Sequence, residues 1–202
     1  MTGNENKNYL IGIIGFGSVG NELIDSINNL PQRANDERLK TIRINTCCHA
    51  QIKPSYCTGN EYSFFLDESY FARYSDEDKT QDYLRGCLGN IFLEFDILFI
   101  VAENQGNKKT DAHVKAITSF IFGCKPTDRF SVGEVKATTF PLVIPVIKQI
   151  VISRDASEYW LYNYRRLQHH FEKFTDLLIM VDDSVPINNI LLAIELLTAN
   201  LR

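Results

Sequence analysis

Apolar positions along the chain follow two spacings, one fitting strands and one fitting helices. Tyr9 to Phe16 is an apolar run that breaks into glycines, and Leu23, Ile24, Ile27 and Leu30 follow at helical spacing until Pro31. A strand, a tight turn and a helix are predicted in that order. Thr41 to Asn45 has the β-branched alternation of a second strand. From Gln51 to Lys79 the periodicity is lost among Pro54, Gly59, aromatics and acids, which predicts an irregular surface excursion with short elements of its own. Tyr83, Leu84, Leu88 and Phe92 predict a helix, and Asp96 to Ala102 a central parallel strand. Thr110 is expected to cap a helix carrying Val114, Ile117, Phe120 and Ile121 that ends near Gly123. Pro141 to Ile147 reads as the next buried strand, interrupted or bulged at Pro145. Trp160, Tyr164, Leu167, Phe171 and Phe174 share one helical stripe, and Leu177 to Val181 reads as another strand. Ser184 is expected to cap a last helix with Ile187, Ile190, Leu191, Ile194 and Leu197 on one side.

Strands alternating with helices in this way predict an α/β fold. It is a three-layer, Rossmann-like, mostly parallel sheet with helices on both faces, binding ligands beyond the carboxyl ends of its strands. The loops after Ile14, Ile44, Val101 and Val181 are therefore where chemistry is expected. Residues 1–202 are expected to form a single domain, with a flexible N-terminus over 1–8 and the excursion over 51–79.

Composition narrows the classes of function. A chain that is 45% hydrophobic with a net charge of −4 does not read as disordered. Lys/Arg blocks no longer than the pairs Lys108–Lys109 and Arg165–Arg166 argue against nucleic acid as a partner. The apolar stretches fall short of the ~20 residues of a bilayer helix, so no membrane span is expected. The polar N-terminus lacks the order of a signal peptide, which predicts a cytoplasmic location. Five cysteines without a C-x-x-C pair favour neither disulfides nor zinc. Cys47-Cys48-His49 invites a metal, but neighbours on a strand point to opposite faces, so no metal site is expected.

Gly15-Phe16-Gly17-Ser18-Val19-Gly20 is a complete G-x-G-x-x-G between a strand and a helix. Glycines there permit the turn and let backbone N–H groups approach a phosphate at a helix N-terminus, making a nucleotide the leading ligand. The same turn can also serve packing alone. NAD calls for an acid after the second strand, where the chain has Asn45-Thr46-Cys47. No G-K-[ST] follows the glycines, so a Walker-type loop is absent.

In order and spacing, these segments resemble the nucleotide-binding domain of the FtsZ/tubulin superfamily, from about Tyr9 onward. The first glycine loop with Asn21 is similar to that family's first phosphate loop, one residue shorter. Ile44-Asn45-Thr46 is similar to the I-N-T closing its second strand. Glu103-Asn104-Gln105-Gly106-Asn107-Lys108-Lys109-Thr110 takes the place of the G-G-G-T-G-T-G signature, and Phe174 to Val181 resembles V-D-T-L-I-V-I. The last helix looks like the start of the family's central helix. The signature keeps only Gly106 and Thr110 and gains Glu103 and Asp111, while Lys108 and Lys109 either offset those acids or stay solvated.

The resemblance implies a nucleotide site, if one is retained, built from Gly15, Gly17, Gly20, Asn21, Asn45, Thr46, Gly106, Asn107, Thr110 and Glu195. Asn21 and Glu195 would meet the guanine edge, with Ile190 where the family usually stacks an aromatic ring. GTP or GDP is one expectation and no cofactor is the other. The family's acidic loop and second domain would follow the last helix, so no catalytic residue carries over and no autonomous GTP hydrolysis is expected. His49, His113, His169 and His170 stand beside no recognisable nucleophile motif, and Asp182-Asp183 suits either a cation or a helix start. The resulting expectation is a divergent FtsZ-like protein that works by association with itself or with an FtsZ-like polymer, as a division or filament regulator or scaffold. The competing expectation is a Rossmann-type enzyme or sensor that uses Gly15–Gly20 for NAD or another nucleotide.

Overall fold

A computed structural model describes residues 9–30, 37–47, 56–58, 60–67, 77–89, 91–104, 115–121, 141–149, 165, 168–171, 175 and 177–199. The strands are β1 (Ile11–Phe16), β2 (Leu39–Cys47), β3 (Tyr56–Thr58), β4 (Glu61–Asp67), β5 (Ile97–Asn104), β6 (Leu142–Gln149) and β7 (Ile179–Val181). The helices α1 (Gly17–Asn28), α2 (Glu77–Leu88) and α3 (Ile187–Ala199) join them, with further helical residues at 115–121 and 168–171.

All seven strands form one sheet in the order β3-β4-β2-β1-β5-β6-β7. Every pairing is parallel except that of β3 with β4. The chain builds outward from β1 through β2 to β4, then crosses back to lay β5, β6 and β7 on the other side. The order therefore reverses between β1 and β5, which is where sheets of this kind have their ligand crevice, beyond the carboxyl ends.

Strand alternation divides the core into two layers. On one face Ile14, Ile42, Ile44, Leu98 and Ile100 pack with Leu84, Leu88, Phe92, Phe120 and Phe171. On the other, Ile13, Phe99, Val101, Ile144 and Val146 pack with Val19, Leu23 and Ile27 of α1 and with Ile187, Ile190, Leu191 and Ile194 of α3. The result is a three-layer, Rossmann-like α/β fold.

Several elements differ from their sequence readings. The stretch read as an irregular excursion contains β4, which pairs with β2 from Thr41↔Glu61 to Cys47↔Asp67. Phe92 does not extend α2. Gly89, at φ +57°, turns the chain after Leu88, its N–H bonding the Arg85 carbonyl, and Phe92 falls in a short 3-10 helix, Ile91–Glu94. Pro145 leaves β6 unbroken, because register with β5 runs through Ile100↔Pro145 and pairing with β7 starts only at Val146. Leu177 is exposed and precedes β7. Trp160, Tyr164, Leu167, Phe174, Thr110, Val114 and Gly123 lie outside the described residues.

Candidate functional site

Register fixes which side chains meet at the crevice. Phe16 pairs with Ile44 of β2, and Gly15 with Val101 of β5. One residue beyond Phe16, the residues Asn45, Gly17 and Glu103 therefore stand at one level across β2, β1 and β5. Glu103 alternates with Phe99 and Val101, so it points to the face covered by α1, and Asn45 alternates with Leu39 to the same side. Both strands thus deliver a polar side chain to the start of the helix.

The three motif glycines have distinct structural duties. A Cβ on Gly20 would lie 2.5 Å from the Val101 carbonyl oxygen and 2.7 Å from the Gly15 carbonyl carbon. One on Gly15 would lie 2.4 Å from the Gly20 oxygen. These two glycines let α1 seat backbone against backbone on β1 and β5. Gly17, at φ +74°, is the turn itself, and its missing Cβ faces the Glu103 carboxylate at 3.4 Å.

Glu103 is 5% exposed, and its Oε2 accepts hydrogen bonds from the Ser18 hydroxyl and, at 3.3 Å, from the Val19 backbone N–H. A helix N-terminus attracts negative charge through its unpaired N–H groups and dipole. Here that charge comes from the chain itself. A phosphate approaching Gly17 would meet a carboxylate, and like charges repel strongly where water is excluded.

On the β2 side, Asn21 Nδ2 donates to Asn45 Oδ1 at 2.6 Å, while Asn21 Oδ1 is buried with no hydrogen-bond partner among the described residues. Further along α1, Arg43 bonds Asp25 at 2.7 Å and Glu61 at 3.1 Å, and Asn28 donates to Glu61 at 2.8 Å. Burial opposes the charge of Arg43, but its bonds to Asp25 and Glu61 outweigh that and hold its pKa above the ordinary value. Ser18, Asn21, Asp25 and Asn28 thus tie one stripe of α1 to the sheet.

Beyond β5, Lys148 is the register partner of Glu103 and alternates with Ile144 and Val146 toward the same helical face. Its side chain is 15% exposed, and its ion pair with Asp183 is long at 4.0 Å. Ser184 does not cap α3 as its sequence position suggests. Instead its hydroxyl and backbone N–H donate to Asp182 Oδ1 at 2.6 and 2.9 Å, closing a turn before the helix. The Ser184 hydroxyl and N–H hold the Asp182 carboxyl below the usual carboxylate range, with Lys148 adding to the effect.

Among the residues implied by resemblance, Gly15, Gly17, Gly20, Asn21 and Asn45 come together at the crevice, and Thr46 follows Asn45 in β2. Glu195 is on the third turn of α3, about 12 Å along the axis from its first residue. Ile190 is buried in the core beneath that helix. Gly106, Asn107 and Thr110 lie outside the described residues, as do Cys48, His49 and His113. Among the described residues no cluster of three His, Cys, Asp or Glu side chains is arranged to hold a metal, and no helix is long and apolar enough to cross a membrane. Sequence pattern alone places Glu103 in the loop after Ala102 and gives it no role at α1. The signal was available, because two residues of continued alternation past Val101 turn Glu103 toward α1. No protein-family model matches the chain, and no curated protein matches it.

Proposed function

We propose that the protein works by association, as a divergent FtsZ-like scaffold or regulator related to filaments or cell division. In this reading it pairs with itself or with an FtsZ-like polymer, guanine-nucleotide binding is weakened or lost, and GTP is not hydrolysed autonomously. The observation that carries the reading is the outer side of α3. Ile187, Ile190, Leu191 and Ile194 already fill the core, with Leu197 at 36% exposure on the rim of that side, yet on the opposite side Leu192 is 53% and Leu196 57% exposed one turn apart. A helix apolar on both sides is ordinarily covered on both sides. The carboxylate at the start of α1 supports the loss of nucleotide binding.

The strand order suits a Rossmann-type NAD protein equally well, but β2 ends in Asn45, Thr46 and Cys47 without the acid that would hold a ribose. Association is tested by light scattering and by co-sedimentation with an FtsZ-like polymer, using wild type and the Leu192→Glu/Leu196→Glu double variant. Self-association or a change in polymer length that the double variant loses supports the reading. A monomeric protein that leaves polymer length and GTP turnover unchanged refutes it.

A further inference from the structure

The helices α1 and α3 pack against each other on the same face of the sheet, yet their outer sides differ in kind. The exposed residues of α1 include the acids Glu22 and Asp25, as expected of a helix that faces water. Those of α3 are Asn188, Asn189, Leu192, Ala193, Leu196 and Leu197, and none is charged. At about 100° per residue, Asn189, Leu192 and Leu196 fall within about 60° of one another, opposite Ile187, Ile190, Leu191 and Ile194. Ala193 borders this stripe on one side. Glu195, the one charged residue of α3, is half-buried on the flank, about 100° round from Leu196.

We propose that the outer stripe of α3 is a dimerisation surface, and that its occupant is the same stripe of a second copy of this chain, related by a two-fold axis. The inference rests on the reading that the protein works by association, and it names the partner. Charge selects that partner. Two copies that each carry a net charge of −4 repel, and an uncharged stripe lets them meet without setting like charges against each other. A partner chosen by charge would find nothing on the stripe to pair with. A two-fold contact also needs a surface that complements itself. Leu192 and Leu196, four residues apart, form a ridge, and the small Ala193 leaves a groove beside it, so the ridge of each copy fits the groove of the other. The stripe is small. Thirteen residues of helix offer a strip of about 20 Å by 10 Å, well below the ~800 Å² per partner of a standard interface. The dimer is therefore weak and reversible, with a dissociation constant between about 10 μM and 1 mM.

The test is analytical ultracentrifugation from about 10 μM to about 1 mM at low salt. The samples are wild type, Leu192→Glu/Leu196→Glu, Leu192→Lys/Leu196→Lys, and the two charged variants mixed in equal amounts. Wild type should pass from monomer to dimer with concentration and stop there. Each charged variant alone should dimerise at least about tenfold more weakly. Their mixture should dimerise again, and lose that in 1 M salt, because an acidic stripe then meets a basic one. Only an interface built from two copies of α3 restores itself in this way. Should a charged variant fail to fold, Leu192→Ala/Leu196→Ala should weaken the wild-type dimer in the same direction. The proposal is overturned if wild type stays monomeric, if it grows past the dimer into open chains, if the variants dimerise as wild type does, or if the mixture associates no more than its components. A monomeric wild type that still binds an FtsZ-like polymer through Leu192 and Leu196 overturns the dimer and leaves the association reading standing.

Discussion

The seat of α1 on the sheet gives the sharpest quantitative prediction, because one substitution should have opposite signs at two helical glycines. In Gly20→Ala the new Cβ would stand 2.5 Å from the Val101 carbonyl oxygen and 2.8 Å from Gly15 Cα, and both are backbone atoms that cannot swing aside. A carbon-to-oxygen contact relaxes at about 3.3–3.6 Å, so α1 must retreat by roughly 1 Å from β5 and β1. Overpacking of this kind costs about 3 kcal/mol at the upper end of its usual range. Alanine returns about 1 kcal/mol of helix propensity, leaving a net loss of about 2 kcal/mol. For a chain of this length that is a fall in Tm of roughly 4–8 °C. Gly86 in α2 has nothing within 4 Å of its would-be Cβ, so Gly86→Ala should stabilise by up to about 1 kcal/mol. Urea unfolding followed by far-UV circular dichroism measures both variants. If Gly20→Ala lies within about 0.5 kcal/mol of wild type, or shifts in the same direction as Gly86→Ala, the close seating of α1 is refuted.

Two further predictions concern polar anchors. The Tyr83 hydroxyl accepts the Asp67 backbone N–H at 2.6 Å, so Tyr83→Phe removes that part-buried hydrogen bond and should cost about 1–2 kcal/mol. Burial raises the Tyr83 pKa, so the stability this phenol contributes is complete below the ordinary tyrosine value of about 10 and is lost as pH rises through the folded one. Unfolding at pH 8 and at about pH 11 should show a smaller alkaline fall in Tyr83→Phe than in wild type, and an equal fall would refute the assignment. Arg43→Ala releases Asp25 and Glu61 together and should cost about 1 kcal/mol, discounted because the Asp25 carboxylate is mostly in water. Its cost should shrink in 1 M salt, and a salt-independent loss would point instead to the packing of the arginine stem.

Much of the fold is legible in the sequence because its central strands are buried on both faces. Ile11–Phe16 and Ile97–Ala102 are apolar at nearly every position, as a strand covered on both sides requires. β4 was hard to read for the opposite reason. Phe64 and Leu66 face the core with Tyr62 packed beside them, while Phe65 is 41% exposed and Glu61, Ser63 and Asp67 are polar, so composition alone resembles a loop. Glu103 and Asn104 read as loop because the apolar run stops at Ala102. Backbone pairing with Lys148 and Gln149 needs no apolar side chain, and it carries β5 two residues further. That extension buries Glu103. A capping role for Ser184 failed because Asp182, two residues earlier, captures its hydroxyl. Within the site, the glycine turn was legible as a motif, but its occupant depends on the register of β5 against β1, which no spacing within the motif records.

The most direct measurement is calorimetric titration of the wild-type protein with GTP, GDP and NAD. With Glu103 seated on Ser18 and Val19, none of the three should bind more tightly than about millimolar. Binding of any of them by wild type at micromolar concentration would contradict the account, because the carboxylate would then have yielded the start of α1 to a ligand phosphate.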